Sequence, residues 1–289
     1  AYQTKSDRLW VLNVGDIEPA EYNMQLFLDM AYEAQPFAES NYTKAHLQNW
    51  VSELFGDENA SQIKDVLWQY YQLAFDRKPE FMGWSQTEPT TKTNYTTYNH
   101  FNNGDEAQRR MDSYEHLVDV VKSLRPKVKA KDADAFYQLV YYPVVGASLM
   151  NKKFLYRDKA MLYAKQNRAS AADYASLSEQ AYKDIVKETA YYNTEMSAGK
   201  WNNMMSMTPR NLPVYQAPDL PSTTIDKSGV WGIAAEGSEL PTFNRFSNKS
   251  YFIDVFLSAD ETLNWTSQSD SWIKPVSYTH LTLPTNSLV

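Results

Sequence analysis

Residues 9–14, LWVLNV, are the one stretch before residue 229 that reads as a β-strand covered on both faces, and nearly everything between reads as helix. An apolar run without polar alternation is the pattern of a parallel strand. Gly15 and Asp16 end it. After the loop DIEP, the segment from Ala20 to Ala34 carries Met24, Phe27, Leu28 and Ala31 at helical spacing, so the opening residues form one strand-loop-helix unit. Such a unit cannot fold alone, because a parallel strand needs hydrogen-bonded neighbours at its edges and helices over its faces. No later segment before Gly229 reads as a second strand of that type, so the ribbon's partners are not expected there. The start, AYQTKSDR, has no initiator Met and no signal-type apolar core, and reads as a cut end.

From Asn41 onward the periodicity is helical. Tyr42 to Phe55 predicts a short helix closed by Gly56, where a left-handed cap residue is favoured. Asn59 to Arg77 carries Ile63, Val66, Leu67, Tyr70, Leu73 and Ala74 on one stripe, with Pro79 beyond its end. Glu88 to Asn103 is polar and turn-prone, a surface loop or an extended insertion. Asp105 to Arg125 places Met111, Tyr114, Leu117, Val118, Val121 and Leu124 on one face, stopped by Pro126. Asp132 caps a long apolar helix that Pro143 is expected to break or kink near Tyr141. Ser170 starts a last helix bearing Tyr174, Leu177, Ala181, Tyr182, Ile185 and Tyr192, with Gly199 just past its end.

The character then changes. TPRNLPVYQAPDLP, residues 208–221, has the composition of a linker. Val230 to Ile273 holds short alternating segments that read as strands of a β-sandwich, too few to close one, since about seven are needed. The last stretch, PVSYTHLTLPTNSLV, resembles a translated sequencing adaptor and is treated as foreign, the alternative being an ordinary disordered terminus.

Composition removes several kinds of chemistry. The chain has no cysteine, which excludes disulfides, thiol nucleophiles and Cys-ligated metals. A net charge of -7 without a basic run speaks against nucleic acid or an anionic membrane surface as partner. The four histidines lack metal-site spacing, neither GxSxG nor a phosphate-cradling glycine loop occurs, and no cofactor is implied. The 21 tyrosines and 8 tryptophans would suit sugar stacking, although aromatics at helical spacing more commonly build a core. Five N-glycosylation sequons carry no argument in a chain so rich in Asn, Ser and Thr. Glu21 falls in a helix first turn, where a carboxylate suits the dipole, and Glu18 beside Pro19 reads as exposed. Asn13 is an amide at the carboxyl end of a buried strand. It either contacts a ligand there, as in (β/α) barrels, or bonds the turn at Gly15 and Asp16.

These residues carry a resemblance. WVLNVGDIEPAEYNMQLFLDMAY, residues 10–32, resembles the motif W-x-x-NVGD-x-KP-x-E of glycoside hydrolase family 115, the xylan α-glucuronidases. RKPE at 77–80, AFYQLVYYPV at 135–144, YYNTEMSAGKWNNMMSMTPRNLPVY at 191–215 and YFIDVF at 251–256 match in the same order.

The resemblance implies a mainly α chain: a helical bundle preceded by the last strand-helix piece of a (β/α)8 barrel and followed by the start of a β-sandwich. The implied boundaries are 1–35 for the barrel remnant, 36–205 for the bundle, 206–228 for the linker, 229–275 for the incomplete sandwich and 276–289 for the tail. The parent would remove α-1,2-linked (4-O-methyl)glucuronic acid from xylan with inversion, as a secreted or periplasmic homodimer acting on glucuronoxylan or its oligosaccharides. Its catalytic acid would lie upstream, leaving this chain inactive alone. Asn13 and Asp16 match the motif at substrate-facing positions, Asn13 hydrogen-bonding the glucuronate or an adjacent active-site side chain and Asp16 holding the loop. Glu18 replaces the motif's Lys, which removes a cationic contact. The alternative is a non-catalytic helical module for glycan binding or dimerisation.

Overall fold

The computed structural model describes residues 2–14, 17, 18, 20–84, 92–166 and 168–224, together with the backbone of four short strand pieces between 230 and 264. Seven α-helices occur among them: α1 (Glu21–Tyr32), α2 (Tyr42–Phe55), α3 (Asp57–Asp76), α4 (Asn102–Leu124), the short α5 (Ala133–Phe136), α6 (Tyr142–Lys165) and α7 (Ala171–Thr194). The mainly helical class expected from the periodicity is what forms.

Local chemistry explains the helix ends. Gly56 takes φ +79°, a conformation strained for any residue with a Cβ, and its N–H closes α2 on the Ser52 carbonyl at 2.9 Å. The chain turns there into α3, whose first residues Asp57 and Glu58 set negative charge against the positive end of the helix dipole. Residues 92–101, within the expected polar loop, hold no helix or strand, and α4 begins at Asn102.

Pro143 does not break its helix. Between α5 and α6 the backbone continues as a π-helical stretch, Tyr137–Tyr141, and the Tyr142 N–H bonds the Tyr137 carbonyl. A proline inside a helix lacks a donor and collides with the carbonyl four residues back; widening the turn just ahead of Pro143 makes room for the ring.

The expected strand over 9–14 is not formed. Leu9 and Val11 are 82% and 78% exposed, and the segment carries no strand pairing. A parallel strand exists only as part of a ladder, and among the described residues nothing supplies a partner edge.

The chain divides into two compact units. The first comprises Ala1–Lys92, Gln108–Asn151 and Lys183–Gln216. Its core joins Leu47, Val51, Ile63, Leu67, Leu117 and Phe136, with Tyr22 stacked on Tyr71 at 5.8 Å and tilted against Trp50 at 5.0 Å. Each fully buried Leu or Ile contributes about 1.5–3 kcal/mol through lost water contact. Leu212 and Val214, in the proline-rich stretch, are buried as well.

The second unit comprises Thr93–Ala107, Lys152–Tyr182 and the described residues from Ala217 onward. Its apolar cluster is small: Ala160, Tyr163, Ala171, Tyr174 and Ala175. Four two-residue strands form two pairs, β1 (Val230–Trp231) parallel to β2 (Ser250–Tyr251) and β3 (Phe256–Leu257) antiparallel to β4 (Leu263–Asn264). The rest of 229–275 and the tail at 276–289 lie outside the described residues.

Candidate functional site

Asn13 stands in the exposed ribbon that leads into α1, and its side chain is open to solvent. Asp16 lies outside the described residues, as do Gly15 and Pro19. The ribbon is anchored by Trp10, whose ring lies 6.0 Å from that of Phe27 on α1 and whose indole N–H donates to the Ser6 carbonyl. Beside it opens an apolar cleft of about 750 Å³ lined by Tyr2, Leu9, Trp10, Val11, Phe27 and Met30.

The two acids that follow are more engaged than their sequence context suggests. Glu18 is half-buried, with the Tyr192 hydroxyl donating to it across a long 3.5 Å. Glu21, the first residue of α1, accepts a 2.6 Å bond from the Gln138 side-chain N–H, while its other carboxylate oxygen is buried without a partner. Burial pushes the Glu21 carboxyl above its ordinary range, Glu18 pushes the same way, and the backbone and Gln138 hydrogen bonds oppose them. The dipole reading of Glu21 therefore misses its main contact, and Glu18 is not simply exposed. No sequence spacing could have shown a contact across 117 residues.

A second polar assembly was not foreseen at all. In the second unit the Arg157 guanidinium is 4% exposed and grips Asp219 through two N–H donors at 2.8 and 2.6 Å. A third nitrogen donates to Asp158 at 2.8 Å and to the Asn94 carbonyl at 3.4 Å, and Asp158 also accepts from the Thr96 backbone N–H at 2.6 Å. Lys159 is buried 3.7 Å from Asp105, with the rings of Tyr174 and Tyr163 at 4.9 and 5.8 Å. Lys153 lies over Phe154 and Tyr182, and its burial lowers the amine to about 7, aided by Arg157 and opposed by Asp219.

His100 is 7% exposed and neither ring nitrogen has a partner among the described residues; burial, with Lys159 adding, holds it down to about 4. The ionic groups here clamp chain segments to α6, which is a structural task. Nothing in the sequence marks Lys153, Arg157, Asp158 and Lys159 as buried, since NKKFLYRDK at 151–159 reads as an ordinary charged helix segment.

Comparison with known proteins points to one family. A family model, Glycosyl hydrolase family 115, matches residues 1–81. Among solved structures the chain is similar to BtGH115A, described as a family GH115 4-O-methyl-alpha-glucuronidase with specificity for decorated arabinogalactans. The TM-score is 0.65 at 32% identity, over 81% of this chain and 30% of that one. Residues 1–81 thus carry the family 115 match, and the chain is similar in structure to a member of that family. No curated protein sequence matches it. The family 115 match includes Asn13, Asp16, Glu18 and Glu21, while the likeness to BtGH115A extends over most of the chain. The chain spans about 30% of the length of that structure.

Proposed function

We propose that this chain is part of an α-glucuronidase that removes glucuronic acid or its 4-O-methyl ether from decorated glycans, and that it supplies one wall of the sugar pocket. The observation that carries this is the placement of the family 115 match over the Asn13 segment, combined with the likeness to BtGH115A. Because the chain corresponds to 30% of that structure, the reaction is assigned to a longer polypeptide containing it.

Asn13 suits the role chemically. Its amide offers an N–H donor to a sugar carboxylate or hydroxyl and a carbonyl acceptor to a neighbouring hydroxyl, so it orients the sugar without moving protons. Inverting hydrolysis needs two carboxyl groups about 6.5–9.5 Å apart, one protonating the leaving oxygen and one activating water. Glu21 is held by Gln138 and Glu18 faces Tyr192, so neither is read as that pair; both catalytic carboxyls are assigned to the upstream barrel strands. No helix of the described residues is long and apolar enough to cross a membrane. Polymeric substrates place the reaction in an extracellular or periplasmic setting.

The resemblance at residues 10–32 implies xylan, α-1,2 linkage and inversion, whereas BtGH115A is described with decorated arabinogalactans. The deciding experiment incubates the longer polypeptide with glucuronoxylan and with glucuronate-decorated arabinogalactan and follows the released uronic acid by proton NMR. Release of (4-O-methyl)glucuronate with the β-anomer appearing first is expected. Binding of either glycan without release would establish the non-catalytic module instead.

A further inference from the structure

The geometry points to Gln138 as a positioning residue: from the π-helical stretch it reaches Glu21 and holds the entry to α1, the turn from Ile17 to Ala20. This deepens the reading of Asn13 as a sugar contact and rests on it only for its consequence in catalysis.

A buried amide is costly unless bonded, so a glutamine in the bundle core requires a partner. Gln138 finds its partner at the first residue of α1, 2.6 Å away, rather than on the π-helical stretch that carries it. The stretch Tyr137–Tyr141 is widened because Pro143 follows, and the extra residue per turn re-aims the side chains it carries. Pro143 thus accounts for the widening, and the widening carries Gln138.

Glu21 in turn depends on this bond. Its second carboxylate oxygen is buried without a partner among the described residues, so no other side chain fixes its rotamer. The Ala20 N–H donates to the Ile17 carbonyl at 2.7 Å, closing the turn that enters α1. Glu18 in that same turn faces Tyr192. Held at Glu21 and closed at Ile17, this turn is the fixed point from which the chain runs back toward Asn13.

The test uses this chain and exploits its lack of cysteine. Nitroxide labels on Ile17→Cys, at a site 64% exposed, and Asp119→Cys, exposed on α4, report one distance by pulsed dipolar spectroscopy. The parent pair should give a narrow distribution. Gln138→Met, of similar shape but without the donor, and Glu21→Ala, which leaves the bundle core untouched, should each broaden it without lowering the melting temperature to that of an unfolded chain. The exchanged pair Glu21→Gln with Gln138→Glu restores one amide and one carboxyl and should narrow it again. An unchanged distribution in Gln138→Met and Glu21→Ala overturns the proposal. So does broadening that the exchanged pair fails to reverse, since packing alone would then explain it.

In the longer polypeptide, Gln138→Met should lower kcat/KM on the order of 100-fold, the scale of misplacing a substrate contact by about 1 Å, with recovery in the exchanged pair. Broadening without loss of turnover would leave Gln138 its positioning role and refute the sugar-contact reading of Asn13 instead.

Discussion

In the first unit Leu47, Val51, Ile63 and Phe136 are fully shielded in a large cluster of aliphatic and aromatic side chains, and Arg110 and Gln138 are among the few polar groups buried with them in that unit. In the second, Lys153, Arg157, Asp158 and Lys159 are shielded to nearly the same degree, and the apolar cluster beside them is five residues. The first interior is stabilised chiefly by removing area from water, a term insensitive to pH. The second depends on compensating charges that would otherwise be very costly to bury. The same helical class therefore contains two kinds of interior, and they should fail differently.

Removing the centre of the ionic interior is expected to have the largest effect. Arg157→Met leaves Asp158 buried without its cation and releases Asp219 and the Asn94 carbonyl, costing about 3–5 kcal/mol by urea denaturation. A loss below about 1 kcal/mol would mean that the guanidinium is not the hub of that unit. Leu47→Ala in the apolar interior should cost about 3 kcal/mol, from lost transfer energy and the cavity left behind, and should cost the same at pH 5 as at pH 7.

The pH response separates the interiors further. His100 is held at about 4 against an ordinary 6.5, so between those values the unfolded chain binds more protons than the folded one. Stability from this group is whole above pH 6.5 and is lost as pH falls toward 4, by on the order of 3 kcal/mol. The slope should be present in the parent chain and reduced in His100→Gln, measured by urea midpoints at half-unit steps; identical slopes would sever His100 from the ionic interior.

A smaller effect of opposite sign is expected at Lys153. Its amine is lowered to about 7 by burial, so at neutral pH the folded state works against charging it, and Lys153→Met should gain about 2 kcal/mol while keeping the contacts to Phe154 and Tyr182. A loss of stability would show that the amine is needed where it lies.

This contrast also marks what the sequence could and could not reveal. Helix α2 was legible to the residue because Tyr42–Phe55 is amphipathic and Gly56 supplies the positive φ that ends it. The apolar nature of 9–14 was legible too, but a strand is a property of a ladder, and its pairing is not encoded in its own six residues. Pro143 announced a disturbance without saying that the helix would widen rather than break. The charges of α6 resemble a solvated face in one dimension; only the fold shows tyrosines and acids closing over them. Asn13 was found through a motif, whereas Gln138 and Glu21 are 117 residues apart and meet only in the folded chain.

The measurement that bears most directly on the account is kcat/KM for glucuronate release by the longer polypeptide carrying Asn13→Ala. Loss of one oriented hydrogen-bond donor at the reacting sugar should lower it on the order of 100-fold while leaving the melting temperature unchanged, since Asn13 is exposed. Turnover equal to that of the parent would contradict the claim that this chain forms a wall of the glucuronate pocket.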